Sequence, residues 1–150
     1  MAKEIERKFL VRDDSYKTVA ISHKDIIQGY LNTDPDATVR VRVAGDKAFL
    51  TVKSRNRGAV RDEWEYPVPT SDAEQMLRTC CPATMLEKRR WIVPAGDLCW
   101  EVDEFHGRHE GLVLAEIELP CEDCAIALPS FIGEEVTGNP AYYNSTLSQA

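Results

Sequence analysis

Alternation between charged and apolar residues runs through most of this chain and limits how it can fold. In KEIERKFLV, which begins at Lys3, two carboxylates and one amine occupy every second position. Successive side chains of a β-strand point to opposite sides, so a strand here would gather Glu4, Glu6 and Lys8 on one face. The other face would carry apolar side chains and Arg7. A single strand of this kind would be explained by a solvated face.

Six further segments repeat the pattern, mostly with an apolar face opposite the charged one. The residues that they would place on their charged faces are Arg40, Arg42, Lys53, Glu63, Glu65, Lys88, Arg90, Glu101, Asp103, Glu116 and Glu118. These charges are grouped by sign along the chain, since the first three are basic and the last two are acidic. Ladders of alternating acids and bases therefore do not account for them.

Turn residues divide the alternating regions into eight extended segments. They cover residues 2–11, 26–31, 37–44, 47–54, 60–68, 85–93, 98–106 and 112–119. Short links at 44–46 and 94–97 imply antiparallel hairpins. Eight such strands suffice to close a small barrel around one small ligand. We therefore predict an α+β, β-rich fold: one domain over residues 1–150 with an eight-stranded antiparallel closed β-barrel and short helices packed outside.

The helices are predicted to be few. The sequence SDAE from Ser71 has the pattern of a capping box, which predicts a helix that ends before Pro82. A second helix is predicted over residues 120–128, because proline and acidic residues favour a helix start. A short turn near residues 15–21 and a helix after Pro140 complete the prediction. The last of these could cap a barrel mouth or pack on the outside.

The alternation alone leaves open which face lines the barrel. An ordinary small barrel places its apolar face inward and its charges in water. Helices packed outside would instead need the apolar faces to dock on, which would turn the charges inward. We favour the charged interior, and we expect Arg7 and Arg89, which have the opposite parity, to lie outside. Buried charges then need water, mutual pairing or a charged guest.

The mixture of signs indicates what guest could satisfy such an interior. Arginine and lysine match phosphate oxygens, whereas carboxylates repel them. Both sets suit one guest only if divalent cations intervene, and Mg²⁺ and Mn²⁺ prefer the hard oxygen donors of Glu and Asp. A triphosphate carries a charge of roughly −4 to −5. Two divalent ions would offset about 4 of these charges.

Composition excludes several classes of function. The net charge of −7 argues against a nucleic-acid partner, whose binding depends on a basic surface. No apolar run approaches the roughly 20 residues of a membrane span. The charged N-terminus predicts no secretory signal and a cytoplasmic protein. The five cysteines are expected as free thiols, with a zinc or redox site at Cys121 and Cys124 as the alternative.

The ordered charged elements resemble those of the CYTH superfamily, also called triphosphate tunnel metalloenzymes. The resemblance covers essentially the whole chain, and the segment EVTGNPAYYNSTL is similar to the tail of short bacterial members. The matching elements are, in order, an E-x-E-x-K at Glu4, Glu6 and Lys8, then Arg40/Arg42, Lys53, Glu63/Glu65, Lys88/Arg90, Asp103 and Glu116/Glu118.

The resemblance implies a tunnel with a charged interior and metal-dependent processing of triphosphates. The activity expected from it is hydrolysis of inorganic tripolyphosphate to pyrophosphate and phosphate. The alternatives are a nucleoside or thiamine triphosphatase, a class IV adenylate cyclase, and a non-catalytic polyphosphate-binding module. The small-molecule triphosphate is the expected partner, with no nucleic acid and no membrane, and a homodimer is one possible assembly.

The residue roles follow from matching the same elements. Two Mg²⁺ or Mn²⁺ ions are expected, one to orient the triphosphate and one to activate water. The expected metal ligands are Glu4, Glu6, Glu63, Glu65, Asp103, Glu116 and Glu118. The expected substrate-binding residues are Lys8, Arg40, Arg42, Lys53, Lys88 and Arg90. The residues expected to be catalytic are Glu4, Glu6, Lys8 and Glu63, and Glu63 could orient the water as a base.

Overall fold

Nine β-strands and three short α-helices are present in the computed structural model, which describes residues 2–149. In chain order they are β1 (Ala2–Val11), α1 (Tyr16–Val19), β2 (Ser22–Asn32), β3 (Ala37–Ala44), β4 (Lys47–Ser54), β5 (Val60–Val68), α2 (Thr70–Cys80), β6 (Leu86–Ala95), β7 (Leu98–Phe105), β8 (Val113–Glu118), β9 (Ile132–Glu135) and α3 (Asn144–Leu147). Short 3₁₀ turns lie at Gly107–His109 and Pro140–Tyr142. No helix in this part of the chain combines the length and apolar character that crossing a bilayer requires.

The first eight strands form a closed antiparallel barrel, as predicted. Their order around the barrel is β5, β4, β3, β2, β6, β7, β8 and β1, and β1 pairs back onto β5. The closing strand β1 changes partner along its length. Glu4 is in register with Arg61 of β5, whereas Lys8 is in register with Glu116 of β8. The charged residues of β1 therefore lie beside β5 at one end of the strand and beside β8 at the other.

The ninth strand was not predicted. β9 pairs with the second half of β1, where Phe9 is in register with Glu135. It therefore lies along the same edge of β1 as β5, which pairs only with the first half of the strand. Its four residues, IGEE, are too few to show a two-residue alternation. The strand exists because β1 offers unpaired backbone groups there, which buried structure must satisfy.

The apolar strand faces point outward and are covered, so the barrel has its hydrophobic cores on the outside. The larger core lies over β1, β6, β7 and β8, where α1 and the segment before β9 cover it; its most buried members are Phe9, Tyr16, Trp100, Val102, Ala115, Ile117 and Phe131. The helix α2 covers a second core over β3 and β4, built on Val41, Ala48, Ala73, Leu77 and Cys81. This arrangement is what turns the charged faces inward.

One part of the interior is apolar. Leu86, Phe105 and Leu114 have the same parity as the charged residues of their strands, yet they pack together with the buried Leu147 of α3. Tyr142 also contacts this cluster. The C-terminal segment thus enters the barrel region instead of packing only on its outer surface.

The prediction of a helix over residues 120–128 is wrong, because this segment contains no helix. Cys124 and Ile126 pack on the outer core while the residues after each are exposed. That two-residue alternation suits an extended chain, which bridges β8 and β9 over the apolar face of the barrel. A helix over these residues would bury a stripe with a period of 3.6 residues instead.

Two local predictions also need correction. The helix α2 begins at Thr70, one residue before Ser71, and the side chain of its N-cap residue, Pro69, makes no capping hydrogen bond. Cys121 and Cys124 form a disulfide, with Cα atoms 5.5 Å apart, although free thiols were expected. The turn after Pro120 brings the two sulfurs together. The other three cysteines are free, as expected.

The packing of α2 on β2 generates a stability prediction. A Cβ added at Gly29 would lie 2.5 Å from the Cβ of Cys81 and 3.1 Å from a methyl group of Leu77. We expect Gly29→Ala to lower the free energy of unfolding by about 1–3 kcal/mol, because the helix must move outward. Urea denaturation followed by circular dichroism measures the change. Adding Cys81→Gly removes the opposing Cβ and should recover part of the loss, and a Gly29→Ala protein as stable as the parent would contradict the close approach.

Candidate functional site

A cavity of about 210 Å³ lies inside the barrel. Twelve of the thirteen residues predicted for the site line it: Glu4, Glu6, Lys8, Arg40, Arg42, Lys53, Glu63, Glu65, Lys88, Arg90, Glu116 and Glu118. They come from six strands of the barrel, because alternation turns the same face of each strand inward. Tyr30 and Glu101 also line the cavity, whereas Arg7 pairs with Glu135 and Arg89 with Asp25 on the outside.

Arg40 and Arg42 form the part of the site that is poorest in negative partners. Arg42 makes its hydrogen bonds to the neutral Oε1 of Gln28. Burial and the nearby Arg40 and Arg90 lower the pKa of Arg42 to about 9. Arg40 donates to Thr51 Oγ1 at 3.3 Å and lies 3.6 Å from a carboxylate oxygen of Glu65. Its Nε is buried and has no acceptor within residues 2–149. A buried donor without a partner is costly, so this position favours an anionic guest.

Asp103 lies behind the cavity wall and organises two cations. Its carboxylate accepts two hydrogen bonds from Arg90, at 2.8 and 2.9 Å, and lies 2.8 Å from Lys88 Nζ. Burial opposes ionisation of Asp103, but Arg90 and Lys88 hold its pKa far below the usual range. Burial, together with Arg90 and Arg42, lowers the pKa of Lys88 to about 7. Because both carboxylate oxygens are taken by cations, these contacts favour a positioning role over the predicted metal-ligand role.

Lys53 connects two of the carboxylates on the acidic side of the cavity. Its Nζ lies 3.0 Å from Glu4 and 3.2 Å from Glu63. Burial raises the pKa of Glu4, but Lys53 outweighs it, and the net pKa is lowered. For Glu63 burial is the largest effect and the pKa is raised, with Glu4 contributing. The two carboxyl groups therefore lie close together around one lysine, and their pKa values are shifted in opposite directions.

A second carboxyl pair lies on β1 and β8. Burial and the neighbouring Glu116 raise the pKa of Glu6 well above its usual value. Burial opposes the ionisation of Glu116, but Lys8, Glu6 and Arg90 lower its pKa well below the usual value. Burial, Glu4 and Glu63 raise the pKa of Glu118. The acidic side therefore holds more carboxylates than its cations can neutralise.

This excess fits a divalent cation. Crowded carboxylates are stabilised when a hard cation binds between them, and Mg²⁺ and Mn²⁺ prefer such oxygen donors. In the arrangement of residues 2–149, no three acidic, histidine or cysteine side chains converge closely enough to hold a metal ion on their own. Mg²⁺ is usually bound by one or two carboxylates together with substrate phosphates and water. A metal shared with a bound phosphate therefore fits these residues better than an all-protein cage.

Sequence reasoning missed several polar groups that complete the site. Thr51, on the charged face of β4, donates to Glu65 at 2.8 Å and accepts from Arg40. Asn144 and the carbonyl oxygen of Tyr142 accept from Lys88 and Lys8 respectively. The parity of Thr51 could have identified it. The helix predicted after Pro140 left open whether the C-terminal segment caps the barrel, and no local pattern identifies Asn144 as the residue that reaches the cavity.

Comparison with known proteins gives consistent matches over the full length. The CYTH domain model matches residues 2–150. The inorganic triphosphatase of Acetivibrio thermocellus is 48% identical over 149 residues, which cover 98% of this chain and 94% of that protein. The inorganic triphosphatase of Nitrosomonas europaea is 37% identical over 150 residues, covering 97% and 96%. The crystal structure of the inorganic triphosphatase NE1496 has a TM-score of 0.68 and 34% identity, and the match covers 98% of each chain.

The double pairing of Asp103 generates the next prediction. Asp103→Asn leaves Arg90 and Lys88 buried without their shared counter-charge, so we expect the free energy of unfolding to fall by about 3–5 kcal/mol. The matched control is Asp25→Asn, which removes the carboxylate that Arg89 meets on the surface; an exposed pair of this kind contributes about 0–1 kcal/mol. Urea denaturation at neutral pH measures both. Equal, small losses for the two variants would contradict the account.

Proposed function

Since this chain belongs to the CYTH domain family, we propose that it is a metal-dependent triphosphatase that hydrolyses inorganic tripolyphosphate to pyrophosphate and phosphate. The observation that carries the proposal is a single cavity that joins a cation-rich side to an acid-rich side. A polyphosphate with divalent cations is a guest that satisfies both sides at once. The names of the two relatives, which are both inorganic triphosphatases, support the same substrate.

In this proposal the cations bind the phosphate oxygens and stabilise charge in the transition state. Lys8, Arg40, Arg42, Lys53, Lys88 and Arg90 all line the cavity and supply this set. Phosphoryl transfer depends mostly on positioning and on electrostatic stabilisation, so fixed cations are its main requirement. The buried Nε of Arg40, which lacks an acceptor within residues 2–149, supports a phosphate oxygen at that position.

The carboxylates Glu4, Glu6, Glu63, Glu65, Glu116 and Glu118 would hold Mg²⁺ or Mn²⁺, and Asp103 would act mainly through Arg90 and Lys88. A bound ion of this kind supplies charge neutralisation and lowers the pKa of water. Glu63, whose pKa is raised by burial, is our candidate for the group that orients water and accepts its proton. Lys53 holds the Glu63 side chain in place through an ion pair and is itself paired with Glu4.

Two alternatives remain as outcomes of the same assay. A class IV adenylate cyclase would need the ribose 3′-hydroxyl to attack the α-phosphorus, and the sequence contains no recognisable base-reading motif. A non-catalytic polyphosphate-binding module would need the cations alone, and the acid-rich side argues against it. A cytoplasmic location and a homodimer stay predictions. The net charge of −7 supports a partner other than nucleic acid.

One assay separates these functions. We expect the purified protein to release equal amounts of phosphate and pyrophosphate from tripolyphosphate in the presence of Mg²⁺ or Mn²⁺, and to release none with excess EDTA. ATP and thiamine triphosphate are tested in parallel, with all products identified by ion chromatography. Cyclic AMP from ATP would instead identify a cyclase. Binding of tripolyphosphate without turnover would identify the non-catalytic module.

Glu6→Gln tests the proposed metal role of the acidic side. Glutamine has nearly the same shape as glutamate, and its amide can donate a hydrogen bond to a neighbouring carboxylate, so we expect the fold to be kept. We expect kcat/KM to fall by about 100-fold, because a lost metal ligand removes several kcal/mol of transition-state stabilisation.

The matched control is Glu135→Gln, which makes the same change at a residue that pairs with Arg7 outside the barrel. Its activity should stay within about twofold of the parent. Steady-state phosphate release and thermal melting are measured for both variants. Full metal-dependent activity of Glu6→Gln would remove Glu6 from the proposed ligands.

A further inference from the structure

Two neutral side chains connect two of the tunnel cations. Gln28 is fully buried on β2, in register with Arg42, and its Oε1 accepts hydrogen bonds from Arg42 Nε and Nη2 at 2.9 and 2.8 Å. The Nε2 of Gln28 donates to Oδ1 of Asn144 at 3.0 Å. The same oxygen accepts from Lys88 Nζ at 2.8 Å. A continuous chain of hydrogen bonds therefore runs from Lys88 through both amides to Arg42.

This amide bridge, Gln28 and Asn144, differs from the carboxylates that pair with other tunnel cations because it has no charge. Arg90 and Lys53 are held by carboxylates. The hydrogen bonds that Arg42 makes within residues 2–149 go to Gln28 alone. A carboxylate would fix the cation and also neutralise it, whereas an amide oxygen fixes it and leaves its full charge to attract an anion.

The position of Asn144 is fixed by its own segment. Leu147 is buried in the apolar cluster inside the barrel, and Tyr142 contacts that cluster. The carbonyl oxygen of Tyr142 also accepts a hydrogen bond from Lys8 Nζ at 3.0 Å. Asn144 lies between Tyr142 and Leu147, so the backbone on both sides of it is held, and its side chain reaches the cavity from a fixed position. A rigidly held acceptor is what positioning a flexible lysine requires.

We propose that Asn144 and Gln28 are positioning residues that set the affinity for the triphosphate, by holding Lys88, which also pairs with Asp103, and Arg42 in place without adding negative charge beside the phosphates. The inference rests on the proposed function, because it takes these two cations as phosphate-binding groups. It adds two uncharged residues to the site and gives the C-terminal segment a part in substrate recognition. The distinguishing property is the absence of charge, which near-isosteric substitutions can change on its own.

Asn144→Asp is the direct test. The carboxylate keeps the acceptor for Lys88 but adds a negative charge beside the phosphates, so we expect KM for tripolyphosphate to rise about tenfold. We expect kcat to change by less than about threefold, since the loss falls on binding in ground state and transition state alike. The melting temperature should not fall, because the new ion pair with Lys88 holds the segment at least as well. A purely structural role would instead lower stability and leave KM unchanged.

The matched control is Asn139→Asp, which makes the same change on the same segment. Asn139 is exposed, and its oxygen caps the 3₁₀ turn by accepting from the Ala141 N–H, which aspartate can also do. Its KM should stay within about twofold of the parent. Gln28→Glu tests the other end of the bridge and should also raise KM about tenfold, by pairing with Arg42. If Asn144→Asp and Gln28→Glu both behave like the control, the proposal is overturned.

Binding of tripolyphosphate with Mg²⁺ is measured by calorimetry beside turnover, so that the two proposals can fail separately. A parent protein that binds but does not hydrolyse would contradict the proposed activity, while weaker binding by Asn144→Asp would still support the bridge. A parent that hydrolyses tripolyphosphate, with unchanged Kd and KM in both bridge variants, would overturn the bridge alone. A parent that neither binds nor hydrolyses it would overturn both.

Discussion

The pairing of one buried carboxylate with two buried cations makes a charged interior compatible with a folded barrel. Asp103 is 1% exposed and lies within 2.8 Å of both Arg90 and Lys88. Without it, two cations would face each other in a region where water cannot screen them. The acid also fixes the direction in which those cations point. The same contact thus supports the fold and prepares the site for an anion.

A charged interior requires a hydrophobic core somewhere else. This chain places its apolar faces outside the barrel, where α1, α2 and the segment before β9 cover them. The covering segments therefore bury the apolar side chains that the centre of the barrel buries in most small β-proteins. At Gly29 the end of α2 packs so closely on β2 that a Cβ atom would not fit between them. The external cores keep the interior free for water, ions and a polyanion.

Local pattern predicted most of the barrel and most of the charged side chains that line the cavity. The parity of Arg40 and Arg42 on β3, or of Glu116 and Glu118 on β8, assigns their faces without tertiary information, because strand geometry has a period of two. β9 was not predicted because its four residues are too few to show a two-residue alternation. Residues 120–128 were misread because proline and acidic residues mark turns as well as helix starts. Asn144 could not be predicted, since its place in the cavity depends on the packing of Leu147 against Leu86, Phe105 and Leu114, which are distant in the sequence.

The cavity is built from segments at opposite extremes of the sequence. Its wall needs Glu4, Glu6 and Lys8 from the first strand, and also Tyr143, Asn144 and Ser145 from the last turn and helix. During synthesis the strands that carry Lys8 and Lys88 therefore emerge before the acceptors of these two lysines. A nascent chain ending before residue 140 would carry the full set of tunnel charges without the Tyr142 carbonyl and Asn144. The arrival of residues 142–144, and not barrel closure alone, completes the hydrogen bonding of these two cations.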